Sequence, residues 1–442
     1  MPQRLMRMVM LCLHVNNDGM KKIIQLKEEM DILYPITEDG AVMRRGKPLS
    51  KVPFGGINHL LSDVNHIVGA GQSLGAGSGS LVTISSNQFG DNDIVFNTGL
   101  VFNKDSAPTS FITNPYSTTE NPSTAAASAF MCLSGMAGTG KKLLSSNCSV
   151  GATTIEQWLK SADDLYNGII NAVRHAYNIA LASGQTYRLL GVLWTQGEHN
   201  KGSGKDDYKA KLISIREDII ADVEEITGDD YSDLPVIMYE CMTAGDSIYQ
   251  AHYELVSNPT SYFFCGAPIY YLKYNDQWHL DSLSYKKLGS SYGSALFYVM
   301  AGINYKPLTP RSYMLNSAER YLDVTFNTIG RLVLDVPEIA SDSFYGQMNG
   351  ALPAKGFFVY TSNNTNLNKI TAVEIISDDT VRYHLNSVVA GMKFRAGVEE
   401  GGSFRFKATY LRDNVGDRVN FVYNGNLYRC DNWCPYFEFN IN

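Results

Sequence analysis

The sequence predicts an α/β domain, a parallel sheet with helices on both faces, followed by a β-sandwich-like domain. Two observations carry this. From Ile57 to Ile303 short apolar runs alternate with helix-length periodic segments, the pattern of strands joined by crossover helices. After Pro310 that periodicity stops, and short apolar segments separated by polar turns run to Asn442. The chain therefore divides into an amino-terminal extension (1–55), an α/β domain (56–305) and a β domain (306–442).

Taken in order, Ile67-Val68 ends a short apolar run that meets a glycine-rich turn, Gly69 to Gly79. Asp93 to Asn97 reads as a buried strand ending in Thr98-Gly99, and residues 103–153, rich in Ser, Thr, Asn and Ala, read as long loops with one short helix. A long helix is expected from Ile155, because Trp158, Leu159, Ala162, Leu165, Tyr166, Ile169, Ile170, Val173 and Tyr177 follow at helical spacing. Thr154 and Gln157 supply its capping box. Strands are expected at Leu189–Trp194, Pro235–Cys241 and Tyr262–Cys265, with helices at Tyr208–Ile226 and Leu283–Ile303. Beyond Pro310, Leu332 to Leu334, Gly356 to Tyr360 and Val381 to Tyr383 are the clearest short strands.

Composition narrows the function. Of 442 residues, 44% are hydrophobic, enough for a packed core, while only 18% are charged, below the rough quarter of ordinary domains. Surface polarity must come from Ser, Thr, Asn and the 27 tyrosines, whose flat face and polar tip suit sugar-like ligands. A formal charge of −7 argues against nucleic acid and anionic membrane as partners, and no apolar run reaches the ~20 residues of a membrane helix. Seven scattered cysteines are not a disulfide scaffold, and Cys430 and Cys434 lack a second pair at metal-ligand spacing. Arg4 and Arg7 precede only a short apolar stretch, without the length or cleavage residues of a signal peptide. The first 19 residues read as a ragged extension.

Three clusters carry chemistry. Gly69-Ala70-Gly71-Gln72-Ser73-Leu74-Gly75 follows a strand, so a tight turn can lift Ser73 above the carboxyl end of the sheet, where open α/β folds place ligands. Trp194 to Asn200, again after a strand, brings amide, carboxylate and imidazole together. Gln196 can donate to a developing oxyanion, and Glu198 can fix neighbouring loops. Asp276-Gln277-Trp278-His279 precedes the last helix. A carboxylate three residues before a histidine can hold the imidazole in one tautomer, making His279 the general base for Ser73.

In this order, "GQS", "QGE" and "DxxH" resemble the SGNH/GDSL hydrolase superfamily, above all its carbohydrate-esterase branch of sialate O-acetylesterases and acetylxylan esterases. The resemblance spans about residues 60–303 and implies a flavodoxin-like three-layer domain that removes acetyl groups from sugars with a catalytic serine. It makes Ser73 the nucleophile, His279 the base and Asp276 the orienting acid, with Ser73, Gly99 and Gln196 as oxyanion donors. Gln72, Glu198 and His199 fall at substrate-binding positions. Two departures stand out: Leu74 replaces a common Asn, and His199-Asn200 follow "QGE" where an acid is common, which alters the pocket rim.

Residues Lys21 to Val52, with "KKIIQLK", "LYPIT" and "AV", are similar to amino-terminal tethers of phage tail-fibre proteins. That likeness implies a virion-associated or extracellular protein, attached to a tail and trimeric. The carboxy-terminal segments Gly356–Tyr360, Tyr410–Asp413 and Asn432–Pro435 resemble the β-domain appended to esterases of this branch, packed beside the active site.

The expected substrate is an O-acetylated carbohydrate, with no cofactor and no metal. Two alternatives stay open: a non-catalytic glycan-binding fibre protein on the same scaffold, and an esterase for other short acyl esters. Gly135 to Lys142 nearly matches a phosphate-binding loop, but Lys142 stands where Ser or Thr should hold magnesium. His59, His66, His175, His252 and His384 have no metal-ligand company and read as satisfied core or surface histidines.

Overall fold

The structure, a computed structural model, describes residues 60–336 and 353–441 with Ile57 and two short strands, β1 (Val42–Arg44) and β2 (Lys47–Ser50). Within those limits 117–118, 137, 242–245, 259, 304, 362–364, 366, 368 and 398–408 are not described. β1 and β2 pair as an antiparallel hairpin. The remainder of the tether segment, and His59, lie outside the described residues.

A seven-stranded sheet forms the centre, built from β3 (Val64–Gly71), β4 (Asp93–Phe96), β5 (Phe111–Thr113), β6 (Lys142–Asn147), β7 (Tyr187–Thr195), β8 (Val236–Glu240) and β9 (Phe263–Pro268). Its order is β5-β4-β6-β3-β7-β8-β9, parallel throughout except for the antiparallel edge strand β5. With the β4–β5 edge set aside, β6-β3-β7-β8-β9 is the flavodoxin-like order, second-first-third-fourth-fifth. Among the described residues six helices accompany the sheet: α1 (Ser73–Ala76), α2 (Pro122–Ser134), α3 (Asp164–Ala182), α4 (Lys205–Thr227), α5 (Asp246–Ser257) and α6 (Ser282–Met300). α2 and α6 pack together on one face, while α3, α4 and α5 form the layer on the other. No described helix is long and apolar enough to cross a membrane.

Three elements differ from the sequence expectation. The stretch from Ile155 to Tyr177 is not one helix. Two 3₁₀ turns, Ile155–Trp158 and Lys160–Ala162, precede α3, with Leu159 extended and Asp163 at φ 72° between them. The capping box of Thr154 and Gln157 is formed, but on the first short turn. That turn is pinned by partners outside it: Trp158 is buried with Nε1 donating to Thr153 Oγ1, and Ile155 N–H donates to Asn200 Oδ1.

The other two are β6, which lies where a loop was expected, and α2, which at 13 residues is longer than the one short helix expected there. α2 has no apolar stripe because it is buried nearly all round, through Ala and Ser. These small side chains admit α6 at close range. A Cβ on Gly293 would lie 2.1 Å from the Ala126 carbonyl oxygen. β6 hides because its buried residues include Ser145, Ser146 and Asn147. Ser146 Oγ lies 2.8 Å from Nε2 of the buried His66, whose Nδ1 meets Tyr187 OH at 2.8 Å. His66 is thus a satisfied core histidine, and burial pushes its imidazole down to about 3.

Beyond residue 306 the chain forms antiparallel sheets. Four strands (Pro310–Asn316, Tyr321–Phe326, Thr380–Leu385 and Ile370–Ile375) make one, and Phe357–Thr361, Met392–Ala396 and Phe437–Ile441 make another. They share an apolar core that includes Val324, Phe357, Tyr383, Phe394 and Phe437. The segment from Val415 to Trp433 behaves differently: Val415, Val419, Phe421, Cys430 and Trp433 pack into the core of the α/β domain. Trp433 stacks on Tyr271 with ring centroids 5.5 Å apart.

Two predictions test these contacts. Gly293→Val forces a side chain against the α2 backbone, so thermal unfolding should show a loss of at least ~2 kcal/mol; an unchanged melting temperature would contradict the close approach. His66 is neutral when folded, so its contribution is complete above its unfolded pKa of about 6.5 and is lost as pH falls from there toward about 3. Between pH 7 and pH 5 this amounts to about 2 kcal/mol. Urea unfolding of His66→Gln at the two pH values should show a pH dependence weaker by that amount; the wild-type slope in the variant would refute it.

Candidate active site

β3 runs to Gly71, and Gln72 continues it by donating its N–H to the Thr195 carbonyl at 2.8 Å. Ser73 then opens α1, which is closed by Gly77 in the left-handed conformation. The chain after β6 stays alongside: Cys148 N–H donates to Gly69 O at 2.7 Å and Val150 N–H to Gly71 O at 2.9 Å. This brings Gly151 beside the serine, where a Cβ on it would lie 3.8 Å from Ser73 Cβ. The N–H groups of Ser73 and Gly151 donate to no protein acceptor among the described residues.

The loop after β7 is held by amides. Gln72 Oε1 accepts the N–H groups of Gly197 at 3.2 Å and His199 at 3.3 Å. Gln196 is fully buried; its Nε2 donates to Thr153 O at 3.0 Å and Asn200 Oδ1 at 2.5 Å, and its Oε1 accepts from Tyr208 OH at 2.8 Å. Glu198 reaches the cleft. Tyr239 OH donates to its Oε2, while Oε1 is buried without a hydrogen-bond partner. Burial pushes the Glu198 carboxyl above the ordinary range, against the hydrogen bond from Tyr239.

The third loop is a tight turn. His279 O accepts the N–H of Asn275 at 2.8 Å, and Asp276 Oδ1 accepts those of Trp278 at 2.7 Å and His279 at 2.8 Å. The other carboxylate oxygen, Oδ2, lies 2.9 Å from His279 Nδ1. Desolvation works to raise the Asp276 carboxyl, but these N–H groups and the imidazole together hold it below its usual value. The loop seats against Gly79, at φ +80°, where a Cβ would lie 2.5 Å from His279 Cβ.

Ser73, His279, Gln72, Glu198 and His199 line one cleft of about 770 Å³ at the carboxyl end of the sheet, and Asp276 stands behind His279. No direct hydrogen bond joins Ser73 to His279 among the described residues, as in many active sites without substrate. Two sequence assignments are corrected. Gly99 does not line the cleft; its N–H closes a turn onto Phe96 O at 2.8 Å. Gln196 has its amide spent on Thr153 and Asn200, so it clamps two loops together instead of facing an oxyanion. Gln72 lines the cleft while also tying down the 197–199 backbone. Gly151, Ala152 and Lys201, which also line the cleft, were missed by the sequence reading. The first two follow β6, so only recognition of that strand could have found them. Among the described residues no cluster of His, Cys, Asp and Glu has the arrangement of a metal site.

The sheet is flavodoxin-like, with a serine at the end of its first strand and an Asp–His pair before its last helix, an arrangement suited to ester hydrolysis. Residues 64–298, more than half of the chain, match the family described as carbohydrate esterase, sialic acid-specific acetylesterase. The chain belongs to this family and is a carboxylic ester hydrolase. A carbohydrate acetylesterase from Xanthomonas citri has a similar structure over 85% of this chain and 80% of its own, with a TM-score of 0.53 and 14% identity. A protein from Arabidopsis thaliana covers 52% of this chain and 97% of its own, at 16% identity and a TM-score of 0.39. NanS covers 54% and 98%, at 12% identity and the same TM-score of 0.39. No curated protein matches the chain.

Because Gly79 leaves room for His279, Gly79→Val should shift the turn. Aryl-acetate hydrolysis is expected to fall by about 10²-fold with the circular dichroism spectrum unchanged. Full activity in this variant would show that the contact does not place the histidine.

Proposed function

We propose that the protein is a serine O-acetylesterase that deacetylates carbohydrate through an acetyl-enzyme. The observation that carries the reading is the Asp276–His279 pair, joined at 2.9 Å, with His279 in the cleft that also holds Ser73 and two amides without protein acceptors among the described residues. With Nδ1 engaged by Asp276, the proton of the neutral imidazole sits on that nitrogen and Nε2 is a base. His279 Nε2 takes the proton from Ser73 Oγ as the oxygen attacks the acetyl carbonyl carbon. The oxygen of the tetrahedral intermediate is met by the N–H groups of Ser73 and Gly151. Collapse breaks the ester bond, and the imidazolium returns its proton to the departing sugar oxygen. Water then attacks the acetyl-serine, giving its proton to His279, and acetate leaves with Ser73 restored.

The size and lining of the cleft support a carbohydrate alcohol. An acetyl group fills little of about 770 Å³, and the rest is bordered by polar side chains including His199, Lys201 and Gln277. Glu198 also borders the cleft, with its carboxyl held by Tyr239.

Acetate release from an acetylated polysaccharide and from an aryl acetate tests the reading. Ser73→Ala should lose at least about 10³-fold in kcat on both, and Asp276→Asn up to about 10⁴-fold. Wild-type rates in Ser73→Ala would move the nucleophile elsewhere. No acetate from wild type on any ester would leave a glycan-binding protein on an esterase scaffold.

A further inference from the structure

Trp278 stands between Asp276 and His279, and it is 54% exposed while the next apolar residue of the loop, Leu280, is fully buried. A tryptophan left this open to water loses the burial that normally stabilises a large aromatic side chain. Its main chain is nonetheless fixed. The Trp278 N–H is held by Asp276 Oδ1 at 2.7 Å, the same oxygen that holds the His279 N–H. The turn therefore fixes the backbone of Trp278 relative to that of His279. Trp278 also lines the cleft that holds Ser73, together with Gln277.

We propose that Trp278 is a specificity-determining residue, a platform on which the sugar ring bearing the ester stacks. A pyranose ring presents one or both faces as C–H groups and its rim as hydroxyls. An exposed indole face next to an amide side chain meets both kinds of surface. Carried on the turn that also places the base, the platform sets the acetylated oxygen at one height above Ser73. This inference rests on the deacetylase reading above and adds the subsite for the alcohol portion.

The test compares two acetate esters, an acetylated methyl pyranoside and ethyl acetate, which has no ring to stack. In Trp278→Ala, KM for the glycoside should rise about tenfold with kcat little changed, the sign of lost uniform binding. The loss of kcat/KM should be at least about fivefold larger on the glycoside than on ethyl acetate. Trp278→Phe should recover part of the glycoside KM. Equal losses on both esters would overturn the proposal and make Trp278 a support of the His279 turn. Unchanged kinetics on both would overturn it as well. Wild type that cleaves ethyl acetate but not the glycoside would instead sink the carbohydrate reading, and that outcome is separate from any effect of the variant.

Discussion

The parallel pairing of β3 with its two neighbours is the constraint on which the site depends, because it continues past the ends of the strands. On one side Cys148 and Val150 donate to Gly69 and Gly71; on the other Gln72 donates to Thr195. Ser73 is the next residue, so its placement is inherited from main-chain hydrogen bonds and not from side-chain contacts. Backbone bonds of this kind leave few degrees of freedom, since a parallel ladder has one spacing and one slant. The loops that follow β6 and β7 are brought to the same place for the same reason. Gly151 arrives from one side of Ser73 and Glu198 from the other.

Side-chain amides lock what the backbone brings together. Gln72 holds the 197–199 loop, Gln196 joins that loop to Thr153, and Asn200 takes both Ile155 N–H and the Gln196 amide while donating to Glu156. Each of these groups is buried, where an unpaired amide would cost roughly 1–3 kcal/mol. A network with that penalty has one arrangement at low energy, and a rearranged loop would strand several polar atoms at once. Gln196, which looks from its motif like a direct participant, is in this sense a positioning residue.

The same logic explains what could be read in the sequence. Ser73 and the Asp276–His279 pair were legible because each lies in a short motif whose geometry is local: a strand-to-helix turn and a three-residue hydrogen-bonded turn. The α/β class was legible because β3, β7, β8 and α4 have apolar patterns of the right length. β6 was not, since Leu143 and Leu144 share its buried run with Ser145, Ser146 and Asn147, and the length of α2 was hidden because Ala and Ser make up much of its buried surface. Missing β6 had a direct consequence at the site. With β4 counted as the second strand, the glycine at its end was Gly99; with β6 in that place it is Gly151. Gln196 failed differently, for a motif gives the residue but not the direction in which a buried amide turns.

The carboxy-terminal region belongs to this scaffold more than the division into domains suggests. Neighbouring side chains of a strand point to opposite faces, and the end of β8 uses both. Tyr239 donates to Glu198 in the cleft, while both carboxylate oxygens of Glu240 accept the Tyr436 N–H, at 2.8 and 3.0 Å. Glu240 is buried, so the Tyr436 N–H supplies a donor that its carboxylate would otherwise have to find in water. Tyr270, just past β9, donates to Cys434 O at 3.1 Å, and Trp433 stacks on Tyr271 a few residues before Asp276. The β domain thus braces the strand end that positions Glu198 and the segment that leads into the His279 turn. Its packing is part of what keeps the cleft in one shape, and a free-standing binding module would have no use for such contacts.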